Sequence, residues 1–144
     1  MAEAQEPGRY HTLVIHTDGA SRGNPGESGI GIVMYDGQGS VVKEFCRFIG
    51  TTTNNVAEYS ALIEALRAAH GLGAEEVAVR SDSELMVKQI LGELKVRHDG
   101  LQPLFVEARR LFLRFRQWRI EYVPREQNRR ADELANLSID RQHK

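Results

Sequence analysis

Apolar positions fall into two regimes along this chain. Through the first fifty residues they alternate with polar ones or run in short β-branched blocks. That pattern predicts strands over Tyr10–Thr17, Gly29–Tyr35 and Ser40–Ile49, the last two joined by a hairpin turn at Asp36–Gly39. From residue 55 the spacing becomes helical. Asn55–His70 predicts a helix stopped by the glycines that follow. Glu76–Ser81 then reads as a short buried strand and Ser83–Leu91 as a short helix ended by Gly92. After a polar loop, Leu101–Gln117 predicts a longer amphipathic helix with Leu104, Val106, Leu111 and Phe115 among its apolar residues. Trp118–Val123 predicts a fifth strand stopped by Pro124, and Asn128–Arg141 a final helix.

This order constrains the topology. Three hairpin-linked strands pair antiparallel, whereas strands separated by helices lie parallel to their sheet neighbours through right-handed crossovers. The expectation is an α/β fold: a five-stranded mixed sheet, three strands antiparallel plus two parallel, with helices on both faces. With no repeat, low-complexity tract or linker, residues 10–144 read as a single domain, and the polar stretch 1–9 as a disordered lead-in.

Composition narrows the picture further. A chain of 144 residues can bury a sizeable core. No run of eighteen apolar residues is present, so no membrane partner is expected. Cys46 is the only cysteine, which excludes an internal disulfide and fits a reducing, cytoplasmic setting. The five histidines show no paired spacing with cysteine of the kind zinc sites use. Net charge is −1, but it is unevenly spread. Residues 1–100 hold an acidic excess, while Arg109, Arg110, Arg114, Arg116, Arg119, Arg125, Arg129 and Arg130 crowd the last third. These arginines read equally as solvated helix faces or as a basic side for a polyanion.

Four carboxylates stand in unusual places. Asp18 closes the predicted first strand and Asp82 the fourth. If those strands are parallel neighbours, both face one site, because ligands in open α/β sheets gather beyond the C-terminal strand ends. Glu58 lies on the stripe formed with Leu62, Ala65, Leu66 and Ala69, which should face the sheet. Asp132 flanks the packing stripe Ala131, Leu134, Ala135 and Ser138. Taken singly, Glu58 reads also as a capping carboxylate and Asp132 as a complement to the helix dipole. Taken together, the four must protonate in part or hold cations, since two unit charges about 4 Å apart repel by roughly 4 kcal/mol at an effective dielectric near 20. An all-oxygen set suits Mg²⁺ or Mn²⁺.

Four stretches in this order and spacing resemble type 1 ribonuclease H across nearly the whole chain: TDGASRGNPG (17–26), TTNNVAEYSALIEAL (52–66), VRSDSELMVKQI (79–90) and YVPREQNRRADELA (122–135). The resemblance implies Asp18, Glu58, Asp82 and Asp132 as catalytic, metal-holding carboxylates. It implies two Mg²⁺ ions, with Mn²⁺ as the substitute, hydrolysing the RNA strand of an RNA–DNA hybrid to leave 5′-phosphate and 3′-hydroxyl ends. Asp18 is then the bridging ligand, Asp132 serves the ion that activates water, and Glu58 with Asp82 serves the ion at the leaving oxygen. The glycine-rich loop carrying Gly19, Ser21 and Asn24 would meet the minor groove together with Asn54 and Asn55. There an asparagine amide can both donate and accept, which suits bases, sugars and the 2′-hydroxyl. Thr53 and Asn128 would hold a DNA-strand phosphate or order the site nearby. Helix N-capping is an equal reading for Asn128. The resemblance also implies a monomer.

Three departures from the family pattern bear on the activity. Many members carry a histidine in a loop before the last aspartate. Here the loop is the short PREQ, with Arg125 as the nearest substitute. It reads as a charge-stabilising catalytic group, or as a surface phosphate contact with no chemical role. A lysine-rich protrusion that grips the DNA strand in bacterial relatives is reduced to Lys95, Arg97 and His98. Glu84 stands where many relatives have glutamine. These changes resemble a compact subgroup and leave duplex RNA open as a second substrate. A non-catalytic RNA–DNA hybrid- or RNA-binding module of the same fold is the alternative reading. Such modules usually lose one or more of the four carboxylates, and all four are present here. A DNA-acting nuclease or integrase relative fits less well.

Overall fold

The computed structural model describes residues 10–143, so the expected lead-in at 1–9 lies outside the described residues. Five strands, β1 (Thr12–Gly23), β2 (Gly26–Tyr35), β3 (Val41–Thr52), β4 (Glu76–Ser81) and β5 (Gln117–Tyr122), form one sheet in the order β3-β2-β1-β4-β5. β1, β2 and β3 pair antiparallel, and β4 is parallel to both β1 and β5. Four helices accompany them: α1 (Asn54–Gly71), α2 (Glu84–Ile90), α3 (Gln102–Phe112) and α4 (Arg129–Asp140). The mixed sheet expected from the sequence is the sheet observed.

The main core lies where α1 and α3 cover one face. Leu13, Ile15, Ile30, Ile32 and Met34 from the sheet meet Leu62, Ala65, Leu66 and Ala69 from α1, all fully buried. Each of the leucine, isoleucine and methionine side chains contributes roughly 1.5–3 kcal/mol on burial. α4 packs on β1, β2 and β3 and comes so close that a Cβ on Gly31 would sit 2.1 Å from the Ala131 carbonyl oxygen and 2.6 Å from the Ala135 amide nitrogen. Glycine in β2 and alanines in α4 therefore set the depth of the last helix.

Two expectations need correction. The first strand does not end at Thr17, and Asp18 is not at its tip. β1 pairs with β4 only from Thr12 to Thr17, but its pairing with β2 continues to Gly23, placing Asp18 inside a hairpin arm opposite Gly31. The small residues after Asp18 mimic a loop in sequence, yet Gly19 is small because α1 presses on it. A Cβ there would lie 2.3 Å from the Ala57 carbonyl carbon. Only Asn24 and Pro25 form the turn. Likewise α3 stops at Phe112 rather than at Gln117. Phe112 stacks on Trp118 with ring centroids 4.3 Å apart, and the amides of Arg116 and Gln117 turn back to the Glu75 carbonyl to enter β5. Val106, an expected packing position, is 58% exposed.

Candidate active site

The four carboxylates come from four elements and share one cavity. It is lined by Asp18, Gly19, Ala20, Ser21, Asn54, Glu58, Asp82, Tyr122, Arg125, Asp132 and Asn136. Carboxylate oxygens of Asp18, Glu58 and Asp82 all lie within 4.8 Å of one another. Asp18 and Glu58 are buried, whereas Asp82 and Asp132 are half-exposed toward the cavity.

Local sequence explains each placement. The peptide groups flanking Asp18 are both fastened. The Gly19 amide donates to Glu58 Oε1 at 2.8 Å, and the Thr17 carbonyl accepts from Asn128 Nδ2 at 2.8 Å. Glu58 sits in the second turn of α1, whose N-cap is Thr53, the hydroxyl accepting from the Val56 amide at 3.3 Å. Glu58 is thus a buried carboxylate aimed at β1 rather than a capping group. Asp82 follows directly on β4 between two serines. Ser81 Oγ accepts from the Ser83 amide at 3.0 Å and Ser83 Oγ caps α2 through the Met86 amide at 3.3 Å, which fixes the turn that presents Asp82. Asp132 occupies the first turn of α4, at the depth set by Gly31.

Electrostatically the cluster is under stress. Burial pushes the Asp18 carboxyl well above the usual carboxylate range, and the charges of Glu58 and Asp82 push it further. Glu58 is raised for the same reasons, burial first and then Asp82, with the Gly19 amide partly opposing the shift. Three oxygen-donor carboxylates this close are the donor set of a hard divalent cation, and the residues present fit that group.

Of the expected substrate residues, Gly19, Ser21 and Asn54 line the cavity. Asn24, at the hairpin turn, accepts from the Asn54 amide at 3.0 Å and so ties the hairpin to the start of α1. Asn55 is exposed in the first turn of α1, and Glu84 in the first turn of α2, neither of them lining the cavity. Lys95 and Arg97 are exposed on the loop between α2 and α3 and also stand outside it. Asn128 is only 1% exposed; its Oδ1 lies 3.1 Å from His16 Nδ1, and it makes no side-chain cap on α4. Asn128 thus occupies the N-cap position of α4 with its backbone alone, while its side chain is turned inward to Thr17 and His16. Arg125, on the 3-10 turn Arg125–Gln127, places Nη2 3.7 Å from Asp132 Oδ1 with its side chain 75% exposed. Part of the arginine-rich third is spent locally. Arg110 pairs with Glu107, Arg116 with Glu76 and Arg130 with Glu44, and Arg109 donates to the Ile90 carbonyl.

Sequence reasoning missed Tyr122 and Asn136. Tyr122 pairs with Ser81 in the β4–β5 register, one residue before Asp82, and lines the same cavity. Asn136 lies one helical turn after Asp132, a spacing that puts both on one face of α4.

The family described as reverse transcriptase-like matches residues 16–138. The chain is 45% identical to the ribonuclease HI of Halobacterium salinarum over 135 residues, 94% of this chain and 68% of that protein. It is 48% identical to a bifunctional protein of Mycobacterium tuberculosis over 129 residues. That match spans 89% of this chain but 35% of the mycobacterial protein, so the likeness is to one part of it. Among solved structures, the ribonuclease H1 of Halobacterium salinarum superposes with a TM-score of 0.88 at 44% identity, covering 90% of this chain and 98% of the other. LC11-RNase H1, solved in complex with an RNA/DNA hybrid, gives 0.87 at 42% identity, with 92% and 99% covered.

Proposed function

We propose a reaction for this chain, which belongs to the type 1 ribonuclease H family and is a phosphodiester hydrolase of the endonuclease class: cleavage of the RNA strand of RNA–DNA hybrids, leaving 5′-phosphate and 3′-hydroxyl ends. The observation that carries it is the convergence of four carboxylates from four elements in one cavity, with the small-residue hairpin and the start of α1 at its rim. A relative 42% identical was solved with an RNA/DNA hybrid, which supports the choice of duplex.

Asp18 would be shared between two Mg²⁺ sites, Glu58 and Asp82 completing one and Asp132 the other. Mn²⁺ fits the same oxygens. Bound there, the cations would supply an acidified water and neutralise charge building on the attacking and leaving oxygens. The chain's own part is to hold these ligands fixed. Asn128 and Glu58 fasten the peptides on either side of Asp18. Ser21, Asn24 and Asn54 lie at the rim where a minor groove would rest, and the RNA 2′-hydroxyl is the group such a rim can read. Arg125 would place a permanent positive charge beside Asp132 and the departing phosphate. The protein would act as a monomer.

The test is cleavage of one labelled sequence presented as RNA–DNA hybrid, duplex RNA and duplex DNA, with end-group analysis of the products. Magnesium-dependent cutting of the hybrid with 3′-hydroxyl ends is expected, and 2′-deoxy residues placed within the RNA strand should block cutting there. Efficient cutting of the all-DNA duplex would overturn the hybrid reading, and cutting of duplex RNA would widen the substrate range.

A further inference from the structure

Asp132 is only partly buried, yet its carboxylate is not left to rotate. Asn136 Nδ2 lies 3.2 Å from Asp132 Oδ1 and 3.0 Å from the Asp132 carbonyl oxygen. An asparagine amide can present either its oxygen or its nitrogen, so something must choose. Arg22 does so. Its Nη2 lies 3.3 Å from Asn136 Oδ1 and 3.3 Å from the Asn136 carbonyl oxygen, and a guanidinium can only donate. The oxygen of Asn136 must then face Arg22 and its NH₂ must face the carboxylate. Arg22 is itself held by Asp140, Nη1 to Oδ1 at 2.7 Å. The result is a continuous chain from Asp140 through Arg22 and Asn136 to Asp132. Arg22 belongs to β1, in the same hairpin arm as Asp18, Gly19 and Ser21.

We propose that Asn136 is a positioning residue that orients the Asp132 carboxylate for its metal, and that Arg22 acts through Asn136 by fixing which way that amide points. The hairpin that carries Asp18 thereby also sets the ligand on α4, so the two sides of the site move as one. The proposal rests on Asp132 being a metal ligand. Outer hydrogen-bond partners of this kind typically change metal affinity by about 10–100-fold when removed.

The experiment measures Mn²⁺ and Mg²⁺ binding to the substrate-free protein by calorimetry, alongside hybrid cleavage over a range of Mg²⁺ concentrations. The proteins are the wild type, Asn136→Ala, Arg22→Ala, Arg22→Lys, the Arg22→Ala/Asn136→Ala double variant and Asp132→Asn. Thermal unfolding without metal checks that each is folded. Asn136→Ala should weaken metal binding about tenfold and raise the Mg²⁺ needed for half-maximal rate in step, with the Michaelis constant for hybrid unchanged at saturating metal. Arg22→Ala should do the same to a smaller degree, and Arg22→Lys should recover part of it. The double variant should be no worse than Asn136→Ala, because Arg22 acts through Asn136. Metal affinity unchanged in Asn136→Ala but reduced in Asp132→Asn would overturn this proposal alone. Affinity unchanged in both would overturn the ligand assignment with it. An effect confined to the Michaelis constant would make Asn136 a substrate contact and end the positioning role.

Discussion

The backbone amide of Gly19 donates a 2.8 Å hydrogen bond to the carboxylate of Glu58. One bond thus joins the peptide next to Asp18 to the first buried carboxylate of α1, and it exists because residue 19 has no side chain to hold the helix away. Glu58 is held as a structural acceptor and offered as a ligand at once. The amide favours its ionised form while burial disfavours it, and that balance is what a bound cation would tip.

Asp18→Asn should remove nearly all cleavage while making the metal-free protein more stable. Asparagine keeps the shape of the side chain but removes the cost of burying a carboxylate and, with it, the repulsion from Glu58 and Asp82. The expected gain is about 1–3 kcal/mol, since one pKa unit corresponds to about 1.4 kcal/mol. Cleavage assays with urea unfolding in chelator check both halves. Near-normal turnover at saturating Mg²⁺ would remove Asp18 from the metal site.

The same repulsion sets a pH dependence. Asp18 and Glu58 have folded-state pKa values raised above their unfolded ones. Between the ordinary carboxylate range and those raised values the folded state binds more protons than the unfolded state. Their contribution is therefore fully present at the acidic end and is lost as pH rises through the folded values. The chelated protein should show a melting temperature that falls from about pH 5 to about pH 8, and excess Mg²⁺ should flatten the curve. Glu44, Glu107 and Asp140, whose pKa values are lowered by arginine partners, weaken the fold only at more acidic pH, and His16, lowered by burial, opposes the fall only below about pH 6.5. A melting temperature rising across that window without metal would contradict the assignment.

Arg125→Ala should lower kcat more than it raises KM, because a charge placed beside Asp132 acts in the transition state or on product release. Arg125→Lys should recover only part, keeping the charge but losing the planar fork. Steady-state cleavage of a short labelled hybrid at fixed salt decides it. An unchanged kcat in Arg125→Ala leaves the residue with a binding role or none.

Gly31→Ala should destabilise the fold by about 1–3 kcal/mol or more, as overpacking does, and should cost activity beyond what stability explains. The added methyl meets backbone of α4 rather than a flexible side chain, so the helix must lift and carry Asp132 with it. Unfolding curves and Mg²⁺ titrations of cleavage on the same samples check this. Wild-type stability would show that α4 is not seated by the glycine.

Strand and helix order was legible because burial repeats with periods of two and near four. β4, flanked on both sides, read as a short apolar block, and the stripe Glu58, Leu62, Ala65, Leu66 and Ala69 is buried throughout. The end of β1 was not legible. Gly19 and its neighbours look like turn formers to a local reading, whereas their smallness answers to a helix forty residues later in the chain. The end of α3 was hidden for a related reason. Phe115 keeps the helical spacing and remains buried, but from beyond the last turn. Glu58 could be picked out because charge on a packing stripe is conspicuous, whereas Asp18 and Asp82 stood out at predicted strand ends and Asp132 beside a stripe. Asn136 could not, since one of its two partners is Arg22, which lies on a different element.

Asp132 rides on the last helix, α4. A ribosome releases this chain from its N-terminus, so Asp18, Glu58 and Asp82 emerge while the fourth ligand is still unsynthesised. A product of interrupted translation that stops between residues 82 and 131 carries three of the four carboxylates and no complete α4 to cover β2. Such fragments should be silent toward nucleic acid, which a cell-free translation series with stop codons placed along the gene would test. The full set of four carboxylates thus exists only once synthesis has passed residue 132.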